Sequence, residues 1–260
     1  MNRREDARPA APQAAPAPDA ERWAFFFDID GTLLEIAQTP SGVRADGVLV
    51  AMIARLRACA GGAVALISGR RIADVDALFP DLGGPIAGQH GMERRDARGA
   101  LHRHAPEGVD WARLRAEVDA AMADKPGLLI EDKGLTLAVH YRQAPGLRGH
   151  VARVLGSLVA QAGGALELQQ GKCVMELKPA GRDKGTAIAE FMEEAPFRGR
   201  LPVFIGDDVT DEYGFVIANS LGGSSVKVGP GKTAARSRLA GVAAVRVWLD
   251  AILAQCPDEP

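Results

Sequence analysis

Long apolar runs are missing from this 260-residue sequence: no stretch of about 18 consecutive apolar residues offers a membrane span, and the N-terminus lacks the apolar segment of a secretory signal. A cytoplasmic location with no membrane partner is therefore expected. An excess of charge of one sign is missing too. The 31 Lys and Arg stand against 33 Asp and Glu, a net charge of −2, which argues against nucleic acid as a partner. Cysteine is scarce. Cys59, Cys173 and Cys256 are odd in number, far apart and without CxxC spacing, so neither a disulfide framework nor a zinc site is expected, and the thiols read as small hydrophobes. Glycine (30) and proline (16) stay below low-complexity levels, and no internal repeat is evident.

What is present is an ordinary globular mixture, 47% hydrophobic and 25% charged, long enough for one compact unit plus an insertion. Residues 1–20 form an Ala/Pro tract with mixed charge that cannot build a packed face and is expected to be a disordered tail. From Trp23 the texture changes. WAFFFDID is a continuous apolar run ending in carboxylates, the signature of a strand buried on both faces and placed centrally. Helical spacing of Val48, Leu49, Met52, Ile53 and Leu56 follows, then the strand AVALIS, a second helical stripe through Ile72, Val75, Leu78 and Phe79, and a short strand at PIAG. Strand and helix in alternation predict parallel pairing with right-handed crossovers.

Between Leu101 and Pro179 the pattern shifts to helix-like WARLRAEVDAAM and LRGHVARVLGSLVAQA separated by paired strand candidates, with a tight hairpin turn at Asp132-Lys133-Gly134. The α/β texture returns from Asp183. The fold class is therefore α/β: a doubly wound, mostly parallel, Rossmann-like core (residues 21–101 and 180–260) interrupted by a smaller α+β domain (residues 102–179).

Three strand ends carry polar clusters: Asp28-Ile29-Asp30-Gly31-Thr32, Ser68-Gly69-Arg70 and Gly206-Asp207-Asp208-Val209-Thr210-Asp211-Glu212. Ligands of an open parallel sheet bind beyond the carboxyl ends of its strands, so all three clusters fall where a site would form. Any one Asp there could simply cap the next helix; an apolar strand before each of three clusters argues for a common site. Carboxylates meeting there repel, about 4 kcal/mol for a pair 4 Å apart at an effective dielectric near 20, and so call for a cation. Oxygen donors without His or Cys favour a hard ion such as Mg²⁺ together with a phosphoryl substrate.

FDIDGT, the Ser68 strand end, Lys184 and GDDVTDE, in that order, resemble the four motifs of the haloacid-dehalogenase superfamily of phosphohydrolases. The resemblance covers nearly everything from Trp23 onward. It implies Asp28 as the nucleophile that forms an aspartyl-phosphate, and Asp30 as the acid that protonates the leaving oxygen and then the base that activates water. It implies phosphate contacts from Thr32, Ser68, Gly69 and Arg70, with Lys184 offsetting charge between nucleophile and phosphate. Mg²⁺ would be held by Asp28, the Asp30 carbonyl and Asp207, with Asp208 and Asp211 ligating through water or orienting the ligands.

In that superfamily an insertion between the second and third motifs is a cap domain. More narrowly, IEDKGLTLAVHYR, GKCVMELKP, GRDKG and GDDVTDE resemble the trehalose-6-phosphate phosphatases, as does GQHGMERR in outline. That resemblance implies that Glu131, Lys133 and Glu176 hydrogen-bond the sugar distal to the phosphate, with Lys172, Arg142 and His140 as weaker candidates. On residue chemistry alone, Glu131, Lys133 and Glu176 could equally be a solvated hairpin with charges paired across strands, and His140 a structural histidine. The cap is expected to close over the phosphate. No glycosyltransferase half precedes these motifs, so the chain is expected to act alone, as a monomer with self-association left open.

A related sugar-phosphate phosphatase or a phosphosugar mutase with the same core is the nearest rival, and a non-catalytic sugar-phosphate sensor the rival from another class; the presence of both Asp28 and Asp30 counts against the sensor. GPGKT at Gly229 to Thr233 imitates the end of a nucleotide-binding P-loop, but Val226 stands where the motif requires Gly. That segment is expected to turn from the VKVG strand into a helix.

Overall fold

A computed structural model describes residues 19–36, 45–104 and 108–257. The expected tail lies outside the described residues apart from Asp19 and Ala20, which sit in a turn. The apolar run becomes β1 (Trp23–Phe27), whose Phe25, Phe26 and Phe27 are fully buried. Because side chains alternate along a strand, Phe25 packs edge-on against Trp248 on one face, while Phe26 meets Phe191 and Phe197 on the other. Burying each such ring contributes roughly 1.5–3 kcal/mol.

Helix α1 (Gly47–Cys59) starts at Asp46, whose carboxylate accepts the Leu49 N–H at 2.8 Å, and buries Leu49, Met52, Ile53 and Leu56 at helical spacing. Then come β2 (Val64–Ile67), α2 (Ile72–Leu78), β3 (Ile86–Gly88), β4 (Glu93–Arg95) and β5 (Leu101–Arg103). After the inserted segment the core resumes with α5 (Lys184–Met192), β10 (Leu201–Gly206), α6 (Glu212–Ser220), β11 (Ser224–Val228), β12 (Ser237–Leu239) and α7 (Val242–Leu253). The eight-stranded sheet has the order β12-β11-β10-β1-β2-β3-β4-β5. Its first six strands are parallel, and β4 and β5 extend it antiparallel. The expected core boundary at residue 101 thus falls inside β5.

From β1 the chain crosses by α1 to β2 on one side, while β10 sends α6 to β11 on the other. The crossovers diverge between β1 and β10, and this switch point opens a crevice at their carboxyl ends. Asp28 and Asp207 directly follow those two strands.

The inserted domain contains α3 (Trp111–Met122), β6 (Leu129–Asp132), β7 (Leu137–His140), α4 (Arg148–Gln161), β8 (Leu166–Gly171) and β9 (Val174–Pro179), with its antiparallel sheet in the order β6-β7-β9-β8. One face of that sheet, through Leu137, Val139, Met175 and Leu177, packs with Val118, Met122, Val151 and Leu155 of the two helices. Register decides what the other face presents. Glu131 pairs with Ala138, Ala138 with Glu176 and Glu176 with Gln169, so both glutamates stand in one row on the helix-free face, separated by a small residue.

Two expectations need correction. Cys59, at the end of α1, and Cys256, just past α7, are joined in a disulfide across 197 residues of sequence, with Cα atoms 5.8 Å apart. The distance in sequence hid a pair that the packing of α1 on α7 makes adjacent, leaving Cys173 free. The segment after Gly229 leads first into β12, pairing parallel with β11, and only then into a helix. Among the described residues no helix is long and apolar enough to cross a membrane.

Candidate active site

The loop after β1 is pinned at both ends. The Asp28 N–H donates to Ile205 of β10 at 2.9 Å, and the Ile29 carbonyl accepts from Thr32, Leu33 and Leu34 as the chain folds back. Gly31 must be glycine here: its φ is +89°, and a Cβ would stand 2.3 Å from Asp207 Oδ2. Gly206 is required for a similar reason, because a Cβ there would lie 2.4 Å from Asp211 Cγ. In the turn that follows, Asp211 Oδ2 accepts the N–H groups of Asp207 and Asp208 at 2.9 and 2.8 Å.

Lys184 arrives as the first residue of α5, a helix started by Asp183 through a reciprocal pair with Thr186. Its Nζ lies 2.6 Å from Asp28 Oδ1 and 2.6 Å from Asp211 Oδ1, with only 3% of the side chain exposed. Asp28, Asp207 and Asp211 each place one oxygen within 4.8 Å of the others. Burial pushes the Asp28 carboxyl well above the usual carboxylate range; Lys184 opposes that, while Asp211 and Asp207 add to it. Burial raises Asp207 as well, against the pull of Lys172. Burial would lower Lys184, but Asp211 and Asp28 outweigh it and hold the ammonium above its ordinary value.

This cluster suits a hard divalent cation. The donors are all oxygen, and one of them, Asp207 Oδ1, is buried without a hydrogen-bond partner among the described residues, while the glycine at position 31 is what lets the Asp207 carboxylate approach this closely. Asp211 is committed elsewhere, with both oxygens engaged by Lys184 and the two backbone N–H groups. Asp30 lies outside the cluster: the Arg70 fork holds both its oxygens, at 2.7 Å from Nε and 2.6 Å from Nη2.

A cavity of about 710 Å³ opens above the cluster, a size that takes a small organic ligand. The core lines it with Asp28, Asp30, Gly69, Arg70, Lys184, Asp207 and Asp208, and the inserted domain with Glu131, Lys133, Arg142, Lys172 and Glu176. Two expected phosphate contacts do not line it. Ser68 is buried, its hydroxyl accepting the Arg70 N–H at 3.1 Å, and Thr32 is fully buried, its hydroxyl without a partner among the described residues.

The inserted domain is seated on the core. Lys133 Nζ donates to the Gly69 carbonyl at 2.9 Å and lies 3.3 Å from both Glu176 oxygens. Lys172 Nζ reaches Asp207 Oδ2 at 2.9 Å, and Arg142 lies near the Lys172 carbonyl. Burial opposes the charge on Glu176, but Lys133, His90 and Thr136 more than offset it and hold the carboxyl far below the usual range. His140 bonds Glu131 at 2.8 Å within its own sheet. Cross-strand pairing and a shared cavity thus occur together. Two contacts went unassigned in the sequence: His90, 3.2 Å from Glu176, and Gln89, which accepts the Leu135 N–H at 3.2 Å. The available signal was their place just beyond β3, at the same sheet edge as the other polar clusters.

The family model for trehalose-phosphatase matches residues 26–243. The chain is 47% identical to a trehalose-6-phosphate phosphatase of Escherichia coli strain K12, over 89% of this chain and 86% of that protein. It is 46% identical to a probable trehalose-phosphate phosphatase of Sinorhizobium fredii, over 82% and 80% of the two chains. In fold it matches the C-terminal domain of trehalose-6-phosphate phosphatase from C. albicans with a TM-score of 0.82 at 22% identity, covering 95% of this chain and 99% of that one. By sequence and by fold, then, this chain belongs to the trehalose-phosphatase family.

Proposed function

We propose that the chain hydrolyses trehalose 6-phosphate to trehalose and phosphate, dependent on Mg²⁺ and through an aspartyl-phosphate on Asp28, as a cytoplasmic monomer. The observation that carries this reading is one cavity with two chemistries: Asp28, Lys184 and Asp207 at its floor, and Glu131, Lys133 and Glu176 at its roof. A phosphate ester of a neutral polyol has those two ends.

The substrate phosphate would sit over Asp28, flanked by Lys184 and the backbone of Gly69. Asp28 attacks phosphorus, an oxygen–phosphorus bond forms to the carboxylate, and the bond to the sugar 6-oxygen breaks. Asp30 gives that oxygen its proton. It then removes a proton from water, which attacks the same phosphorus and releases Asp28. Arg70 keeps the Asp30 carboxyl aimed through this exchange. Asp28, Asp207 and the Asp30 carbonyl would hold Mg²⁺, with Asp208 and Asp211 supporting from the second layer. When bound, the cation supplies positive charge that keeps Asp28 ionised and offsets the phosphoryl oxygens.

In the inserted domain, Glu131 and Glu176 accept from sugar hydroxyls and Lys133 donates to them. Contacts so far from phosphorus select the substrate rather than drive the chemistry. Phosphate release from trehalose 6-phosphate, sucrose 6-phosphate and glucose 6-phosphate, with and without chelator, tests the proposal. Chelator-sensitive release preferring trehalose 6-phosphate is expected; equal rates for all three would remove the assigned substrate, and full activity in chelator the assigned metal.

A further inference from the structure

The chain after β3 does something unusual: Gln89, His90 and Gly91 have φ values of 47°, 57° and 93°, three consecutive left-handed residues of which only one is glycine. Both non-glycine residues are buried. Their backbone is tied to the phosphate-side loop, the Gln89 N–H donating to the Arg70 carbonyl at 2.8 Å and the His90 N–H to the Ser68 carbonyl at 2.9 Å. The side chains leave the core. Gln89 Oε1 accepts the Leu135 N–H of the β6–β7 hairpin at 3.2 Å, and His90 Nε2 lies 3.2 Å from Glu176 Oε2 on β9.

The His90 ring fills the space above Gly69, where a Cβ would come within 2.6 Å of it. Glu176 is therefore gripped from two directions. Its own domain supplies Thr136 and Lys133, and the core supplies His90, while Lys133 simultaneously donates to the Gly69 carbonyl.

We propose that the Gln89–His90 turn is a latch between the two domains, and that His90 is a positioning residue that sets the Glu176 carboxylate for the sugar only when the inserted domain is seated on the Ser68–Arg70 loop. This deepens the preceding reading of the site and rests on it. A left-handed backbone at two non-glycine residues persists where surrounding contacts over-determine it, and here those contacts run to both domains at once. The turn reads the phosphate loop with its backbone and the sugar wall with its side chains. Selectivity for a long, polyhydroxyl leaving group, and not phosphoryl transfer itself, is what it controls.

The test compares kcat/KM on trehalose 6-phosphate with kcat/KM on p-nitrophenyl phosphate, whose leaving group is too short to reach Glu176. His90→Asn tolerates the left-handed backbone but stops short of Glu176; His90→Gln restores an N–H donor at the position of Nε2. For His90→Asn, the ratio of the two kcat/KM values should fall about 10- to 100-fold, the worth of one hydrogen bond to a charged group. His90→Gln should regain most of that ratio. Gln89→Ala, which removes only the Leu135 contact, should lower the ratio by about 3- to 10-fold, and it serves where His90→Asn folds poorly. An unchanged ratio in the folded variants, or no recovery with His90→Gln, overturns the latch. Absence of wild-type turnover of trehalose 6-phosphate would instead overturn the proposed substrate, an outcome read before any variant is made.

Discussion

Removing the ammonium of Lys184 should expose how much negative charge the floor of the cavity stores. In the folded chain that ammonium lies 2.6 Å from Asp28 and 2.6 Å from Asp211, with a third carboxylate, Asp207, in the same cluster. Each contact at that distance is worth about 6 kcal/mol at an effective dielectric of 20, before the cost of taking the charges from water. That desolvation cost is largely common to the variant, which keeps the acids buried, so the loss resembles that of breaking a buried pair, about 3–5 kcal/mol. Lys184→Ala in chelator at pH 8 should therefore unfold in urea with a stability lower by that amount.

The pH dependence has a definite sign. The folded value of Asp28 is raised, so its contribution to stability is fully present below its ordinary value near 3.8 and is lost as pH rises through the raised one. Lys184 is itself raised above 10.5, so its contribution is present below that pH and does not vary between pH 5 and 8. The deficit of Lys184→Ala should accordingly shrink at pH 5, where the raised carboxyls of Asp28 and Asp207 take up protons more readily, and shrink again at pH 8 when Mg²⁺ supplies the missing charge. Urea midpoints at the two pH values, with and without Mg²⁺, measure all of this. A variant within about 0.5 kcal/mol of wild type at pH 8 in chelator would refute the reasoning, since the cluster would then need no cation.

Three further outcomes are expected. Asp28→Asn should abolish phosphate release while leaving far-UV circular dichroism and the antiparallel sheet intact; measurable turnover would remove the covalent step. Gly31→Ala forces a side chain into left-handed backbone and against Asp207 Oδ2, so it should lose about 1–3 kcal/mol of stability and most of its activity together, read by melting and phosphate release. Mg²⁺ at 100 times its dissociation constant should stabilise the wild-type chain by about 2.7 kcal/mol relative to chelator, and Asp207→Asn should reduce that increment; a melting temperature indifferent to Mg²⁺ would show that the cluster does not take it up.

Much of the site was legible because its parts are local. DIDGT and GDDVTDE each place glycine and carboxylates within a few residues, at the ends of apolar strands whose pattern survives any tertiary arrangement. The row containing Glu131 and Glu176 was only half legible. Alternation puts each on one face of its strand, but that they share a face depends on the β6-β7-β9 register. Arg70 was expected as a phosphate contact and lines the cavity; that its fork also pairs with Asp30, 40 residues earlier, is something nothing local encodes. Thr32 and Ser68 were expected as phosphate contacts, and nothing local encodes that both are buried, Thr32 in the tight loop after Ile29 and Ser68 against the Arg70 N–H.

The amino-acid sequence alone determined the alternation of strand and helix through the core, the central two-faced strand, the insertion and the acidic strand ends, though not the short strands β4, β5 and β12, because hydrophobic period and glycine placement are imposed by the backbone of each segment. Tertiary structure alone decided the partners: Cys59 with Cys256, His90 with Glu176, Lys133 with Gly69. Those pairings arise where crossovers and two sheets bring remote segments within a few ångströms, and pairwise distance is a property that no local periodicity encodes.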